Sequence, residues 1–248
     1  MKIKSFLLVV VLTLITCISE RQVVKAGSPP SPPTSFGAAA ITGVVKFTGA
    51  VPAARPISMS ADPSCAKQHP TPFLAKEVVV DSKGGLQNVI VFVADGLGER
   101  TFDPPTEPAV IAQKGCLYQP HVLAVRANQP LEVVNNDSTA HNIHPTPANN
   151  REWNKAEPPG AKVEEAFARE EIAIPVKCNI HPWMRGYIAV FKHPYFVVTK
   201  DDGTFDLSNL PPGTYTIKAW HEKLGTASQT ITIGANESKV LSFVFKGM

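Results

Sequence analysis

Residues 177–186 read KCNIHPWMRG, which sets Cys178, His181 and Met184 within seven residues of one another. A thiol, an imidazole and a thioether are soft or borderline metal donors. Steps of three residues let them turn toward one point across a tight loop, and Pro182 stiffens that loop. Each residue also has a plain reading. A lone cysteine is most often a small buried hydrophobe, and a lone methionine fills core gaps. The surrounding chain has to decide between the two.

Upstream, VVNNDSTAHNIHP (133–145) reads as a strand ending in a polar turn, followed by His141 and His144. Thirty-six residues separate His141 from Cys178, room for a loop, a short helix and a strand. Two imidazoles and a thiolate in a trigonal arrangement, with Met184 as a long axial thioether, form a blue-copper donor set. The expected ligands are therefore His141, Cys178, His181 and Met184, holding one copper. Zinc is the competitor. It also takes Cys and His but prefers four firm ligands, and His144 would supply the fourth where the thioether is a poor one. Otherwise His144 and Asn142 are outer residues that orient the ligands.

The flanking sequence is β-rich. ITGVVKF (41–47), KEVVV (76–80), NVIVFVA (88–94), HVLAV (121–125), LEVVN (131–135), IAIPVKC (172–178), YIAVF (187–191), YFVVT (195–199), TYTIKAW (214–220) and QTITI (229–233) are short, β-branched or aromatic, and bounded by turn residues. Only 162–168 reads as a place for a helical turn or two. The class expected is all-β, built as sandwiches or barrels.

The ligand-bearing stretch from about Ala109 to Val190 resembles the cupredoxin family (plastocyanin, pseudoazurin, amicyanin). His141 in AHNIH stands where the family has its first histidine. Cys178 and His181 stand at its C-x2-H pair, and Met184 at its axial methionine. CNIHPWMRG is most similar to an amicyanin-type loop, followed by the strand Tyr187–Val190. The resemblance implies a Greek-key β-sandwich, a type 1 copper, single-electron transfer and hydrogen bonds from Asn142 to the cysteine loop. His144 and the region 58–108 depart from the family pattern. A second resemblance lies in TKDDGTFDLSNLPPGTYTIKAW (199–220), where Asp202-Gly203 is a hairpin signal and Leu210-Pro211-Pro212-Gly213 a tight turn. It resembles a carboxypeptidase regulatory-like (transthyretin-like) β-sandwich module, which implies a small structural or interaction domain without catalytic residues. The domain plan is then 40–57 as strands of the C-terminal sandwich, 58–193 as the copper domain with an N-terminal extension, and 194–248 as the second module.

Met1 to Ala26 carries lysines, an apolar run and a small-residue cleavage site, and reads as a signal peptide. Residues 27–39 read as a Pro/Ser-rich linker. Four of the 24 basic residues and one of the 21 acids lie in 1–26, so the remainder balances at 20 of each. The formal +3 belongs to the leader, and no basic footprint for nucleic acid remains. The place expected is periplasmic or extracellular, with no membrane span in the mature form. An oxidising compartment favours pairing Cys65 with Cys116 and leaving Cys178 free. The rival is a Cys2His2 zinc site from Cys65, His69, Cys116 and His121. Trp183 would shield the loop or form part of a docking patch for a redox protein. His221 reads as a surface histidine. Nothing resembles a nucleophile elbow, a P-loop or a dinucleotide fingerprint, and no substrate turnover is expected. Three roles follow: electron shuttle, copper carrier or sensor, and cell-surface binding module with a structural metal or none.

Overall fold

A computed structural model describes residues 39–247. The leader and all but the last residue of the linker expected from the sequence lie outside them. In chain order the elements are β1 (Ala39–Thr48), β2 (Pro56–Ile57), α1 (Pro63–Gln68), β3 (Phe73–Leu74) and β4 (Ile90–Asp95). The middle of the chain supplies β5 (Ala109–Gln113), β6 (Tyr118–Gln119), β7 (Val122–Arg126), β8 (Leu131–Asn135), β9 (His141–Pro145), β10 (Lys155–Glu157), β11 (Lys162–Glu165), β12 (Glu171–Lys177) and β13 (Arg185–Phe191). The last part gives β14 (Phe196–Val198), β15 (Thr204–Leu210), β16 (Gly213–His221), β17 (Gly225–Ile233) and β18 (Ser238–Lys246).

The strands form two sandwiches. One pairs a five-stranded sheet, β10-β9-β12-β13-β7, with a four-stranded sheet, β11-β8-β5-β6. Inward side chains such as Ile111, Leu131, Val133, Ile143, Ile174 and Ile188 make its core. The other pairs β15-β1-β18 with β14-β4-β16-β17. Its core holds Ile41, Phe205, Tyr215, Ile217 and Phe243, each one of the alternate positions that a period of two sends inward. β1 runs parallel to β18 and antiparallel to β15.

The chain passes between the sandwiches in a way that differs from the expected boundaries. β4, assigned to the 58–193 segment from sequence, pairs with β14 and β16 in the second sandwich. β2, assigned to the C-terminal sandwich, pairs with β3 in a separate two-stranded ribbon. β4 and β14 are hydrogen-bonded neighbours, so β5 through β13 form an insertion between adjacent strands. Ile90 and Phe92 of β4 meet Val122, Ala189 and Phe191 of the other sandwich in a buried cluster.

Other local expectations also shift. Residues 162–165 form β11 against β8, because that stretch completes a sheet edge. The helix is instead α1, where Asp62 caps the N-terminus and Pro63 takes the first position. Of 76–80, only Val80 makes a bridge, to Leu86. Both expected turns, at Asp202-Gly203 and at Leu210–Gly213, join strands in opposite sheets. At the second, the Tyr215 hydroxyl donates to the Pro211 carbonyl at 2.6 Å and pins the corner. His221 is 1% exposed, with Nδ1 accepting from the Lys223 amide, because it ends an inward-facing series on β16.

Candidate metal centre

His141 opens β9, Cys178 follows β12 and His181 lies in the loop between β12 and β13. β9 and β12 pair at Pro145–Val176 and His144–Lys177, which brings the two ends together. One donor atom from each of His141, Cys178 and His181 lies within 4.8 Å of the other two. His141 Nδ1 and His181 Nδ1 are 2.9 Å apart, and Cys178 Sγ is 3.8 Å from His181 Nδ1. All three residues are at most 3% exposed. The sequence gap between His141 and Cys178 holds the rest of β9, then β10, β11 and β12 with their connecting loops, and the expected short helix is replaced by strand.

Backbone bonds shape the loop. The His181 amide donates to Cys178 Sγ at 3.4 Å, the Cys178 amide to the Met184 carbonyl at 3.1 Å, and the Met184 amide to the His181 carbonyl at 2.9 Å. Met184 is fully buried, in the same core cluster as Cys178. Asn142 Oδ1 accepts from the Asn179 amide at 2.7 Å and lies 3.2 Å from Cys178 Sγ. The Tyr118 hydroxyl donates to the Asn142 carbonyl at 2.6 Å. Burial, then the nearness of Cys178 and Glu157, pushes that hydroxyl up, so it remains a donor.

Each histidine is held from outside by a carboxylate. His141 Nε2 is 2.9 Å from Asp137 Oδ2, and His181 Nε2 is 3.0 Å from Asp62 Oδ2. Asp137 also accepts from the amides of Gly115 and Cys116, at 2.8 and 2.7 Å. Burial raises Asp137, but its bonds from Cys116, His141 and Gly115 outweigh that and hold it below the usual carboxylate range. Asp62 caps α1 and accepts the Thr139 hydroxyl at 2.9 Å. Burial opposes its ionisation, yet the bonds from His181, Thr139, Ser64 and Cys65 bring it down to about 2. Burial lowers His141, with the Asp137 bond acting against it.

These carboxylates decide which nitrogen faces inward. An Nε2–H given to a carboxylate leaves Nδ1 for a metal. Two Nδ1 atoms 2.9 Å apart then need a cation between them, either a proton or a metal ion. With a buried free thiol beside them, the group suits a soft or borderline metal. Sequence reasoning missed both Asp62 and Asp137. Asp62-Pro63 was legible as a helix cap, and Asp137 only as part of a polar turn.

His144 stands apart. Its Nε2 is 2.6 Å from Glu152 Oε1 and its Nδ1 is 3.1 Å from Asn179 Oδ1. Three residues along a strand reverse the face, so His141 and His144 point oppositely. His144 thus lies outside the grouped donors. Cys65 and Cys116 form a disulfide, which excludes the Cys2His2 alternative. His69 Nε2 is instead 2.7 Å from the Gly115 carbonyl, and His121 pairs with Glu222.

The disulfide and α1 lie over the cluster. Cys65 Sγ is 3.8 Å from His181 Nε2, and Trp183 Nε1 donates to the Cys116 carbonyl at 3.2 Å. Trp183 also lies against His181, with ring centroids 5.0 Å apart.

The fold and cluster together define a class: an all-β, two-sandwich protein with a buried two-histidine, one-cysteine centre. No family model and no curated protein matches this chain. Among solved structures, a copper-containing nitrite reductase from Thermus scotoductus is 20% identical, covering 39% of this chain and 25% of its own, with a TM-score of 0.33. This chain thus spans a quarter of that enzyme's length. A purple cupredoxin from Nitrosopumilus maritimus is 24% identical, covering 33% of this chain and 98% of its own, with a TM-score of 0.29. An amicyanin mutant in its Cu(I) form is 19% identical, covering 40% of this chain and 97% of its own, with a TM-score of 0.31.

Proposed function

We propose that the chain is an exported cupredoxin-type protein in which His141, Cys178, His181 and Met184 would hold one copper, and that it passes single electrons to a redox protein. The observation that carries this is the convergence of two imidazoles with the one thiol that is free among the described residues, in a buried cluster that could hold a metal ion. Bound copper would supply a one-electron couple. The chain's own residues do the rest. Asp137 and Asp62 orient the imidazoles, Asn142 holds the cysteine loop, and Met184, Trp183 and the disulfide exclude water. A nearly closed shell suits a metal that stays in place, which favours the electron-transfer role over the carrier role. The disulfide fits an oxidising compartment, and no helix among the described residues is long and apolar enough to cross a membrane. The second sandwich, with its Tyr215 corner, is read as the transthyretin-like module and as a structural or interaction domain.

The test is titration of residues 27–248 with Cu(II), followed by visible absorption and EPR. An intense thiolate-to-copper band that bleaches reversibly with a mild reductant is expected. Cys178→Ser should lose the band, while Met184→Leu should keep copper and change its potential. A coloured Cys178→Ser protein, or a wild type that takes only zinc, overturns the assignment.

A further inference from the structure

A cleft of about 950 Å³ lies between the ribbon β2–β3, the ligand loop and the near ends of both sandwiches. That volume falls within the range of small-molecule sites, roughly 300–1,000 Å³. Phe73, Tyr118, Trp183 and Tyr187 contribute aromatic surface to its walls. Two of these also touch the metal centre. Trp183 lies against His181, and Tyr118 holds the Asn142 carbonyl. The ligands themselves are at most 3% exposed, and the cleft meets the cluster through the side chain of Trp183.

The charges of the lining are uneven. Arg55, Lys76, Arg185 and Lys223 face two carboxylates, Glu77 and Glu222. Both carboxylates are engaged. Glu77 pairs with Arg55 and Lys223, and Glu222 pairs with His121. Lys76 lies over the Phe73 ring at 5.8 Å, and Arg185 Nε donates to the Pro182 carbonyl. Among the described residues, neither Lys76 nor Arg185 has a carboxylate partner within 4 Å. Aromatic walls with surplus positive charge suit a flat ring that carries an anion.

We propose that this cleft binds a planar aromatic carboxylate, with the ring against the aromatic walls and the anion toward Arg185 and Lys76. The site deepens the copper reading, because a molecule bound there lies one aromatic side chain from the centre. Its binding chemistry does not depend on the metal, so the two readings fail separately.

The experiment is isothermal titration of the metal-free full chain with 4-hydroxybenzoate, cyclohexanecarboxylate and benzyl alcohol. Saturable binding of the aromatic acid is expected, with both controls weaker by about tenfold or more. Arg185→Gln, an exposed change, should weaken the aromatic acid by about tenfold, and Tyr187→Leu by a similar factor. Equal binding of all three probes, no saturable binding, or an affinity that Arg185→Gln leaves unchanged overturns the proposal. A normal blue band in the copper-loaded protein alongside such a failure would leave the metal centre standing and remove the cleft alone.

Discussion

Glu157 is fully buried on β10, opposite His141 in the ladder, and its carboxylate is held by the Gln113 amide. Oε1 of Glu157 and Oε1 of Gln113 are both buried without a partner, a setting that disfavours a charged carboxylate. Burial pushes Glu157 up to about 7, with the Gln113 bond acting the other way. Between the ordinary carboxyl value and about 7, the folded chain holds a proton that the unfolded chain has released. The contribution of Glu157 to stability therefore falls as pH rises through that window and levels off above it. His193 and His221, both lowered to about 4 by burial, act in the opposite direction over the acid part of the same range. The Glu157 contribution is thus read against Glu157→Gln: the urea midpoint of the wild type relative to that variant should be lower at pH 8 than at pH 5, and a constant difference would remove the assignment. Asp137 gives a second test at this scale. Asp137→Asn sets an amide against three donors and frees the His141 ring, so metal affinity should drop by about 10–100-fold in a chelator competition. An unchanged affinity would mean that the carboxylate does not set the ring.

At the scale of elements, the cover over His181 is fastened by one covalent bond. α1 reaches the cluster through Asp62, and the Cys65–Cys116 bond ties α1 to the loop that carries Cys116, across a sequence separation of 51. Closing a loop of that length is worth about 4 kcal/mol in the chain-entropy account. A dithiol reductant should lower the denaturation midpoint accordingly. It should also speed loss of bound metal to a chelator, because the Cys65 sulfur no longer fastens α1 over the His181 edge. Equal exchange rates in oxidised and reduced protein would show that α1 stays in place without the bond. β1 offers a separate test in the other sandwich. It is hydrogen-bonded on both sides, and a Cβ on Gly43 would meet the Leu241 carbonyl at 1.8 Å and the Phe205 ring at 2.7 Å. Gly43→Ala should thus cost about 3 kcal/mol or more, since neither the backbone nor a buried ring can yield cheaply.

Among the described residues one sandwich is inserted between adjacent strands of the other, and the two share buried surface. Phe191 of β13 is fully buried, with its ring 5.0 Å from Phe92 of β4 and 4.6 Å from Phe196 of β14. The join is therefore aromatic packing in which β13 meets both the distant β4 and the next strand in the chain, β14. Phe191→Ala should destabilise by about 3–5 kcal/mol. Its calorimetric trace should broaden or split, while the wild type unfolds in one transition. A single sharp transition in the variant would show that the sandwiches are coupled by other contacts. This arrangement also makes the cleft, since Glu222 and Lys223 of one sandwich stand opposite Trp183 and Arg185 of the other.

The sequence by itself determined the class of fold and the donors. Short β-branched runs such as 131–135 and 187–191 lie within strands because alternation and turn residues act locally. The spacing of Cys178, His181 and Met184 is likewise a property of one loop. β18 was equally legible, with Leu241, Phe243 and Phe245 inward, yet it was overlooked. Tertiary structure decided what depends on distant partners. β4 reads as any buried strand, and only its pairing with β14 and β16 places it in the second sandwich. The turn of His144 away from the cluster follows from β9 being a strand, a stretch that was not among the strands read from the sequence. Asp62 and Asp137 became parts of the centre because a disulfide and a cap carried them there, and no pattern of neighbouring residues encodes such long-range contacts.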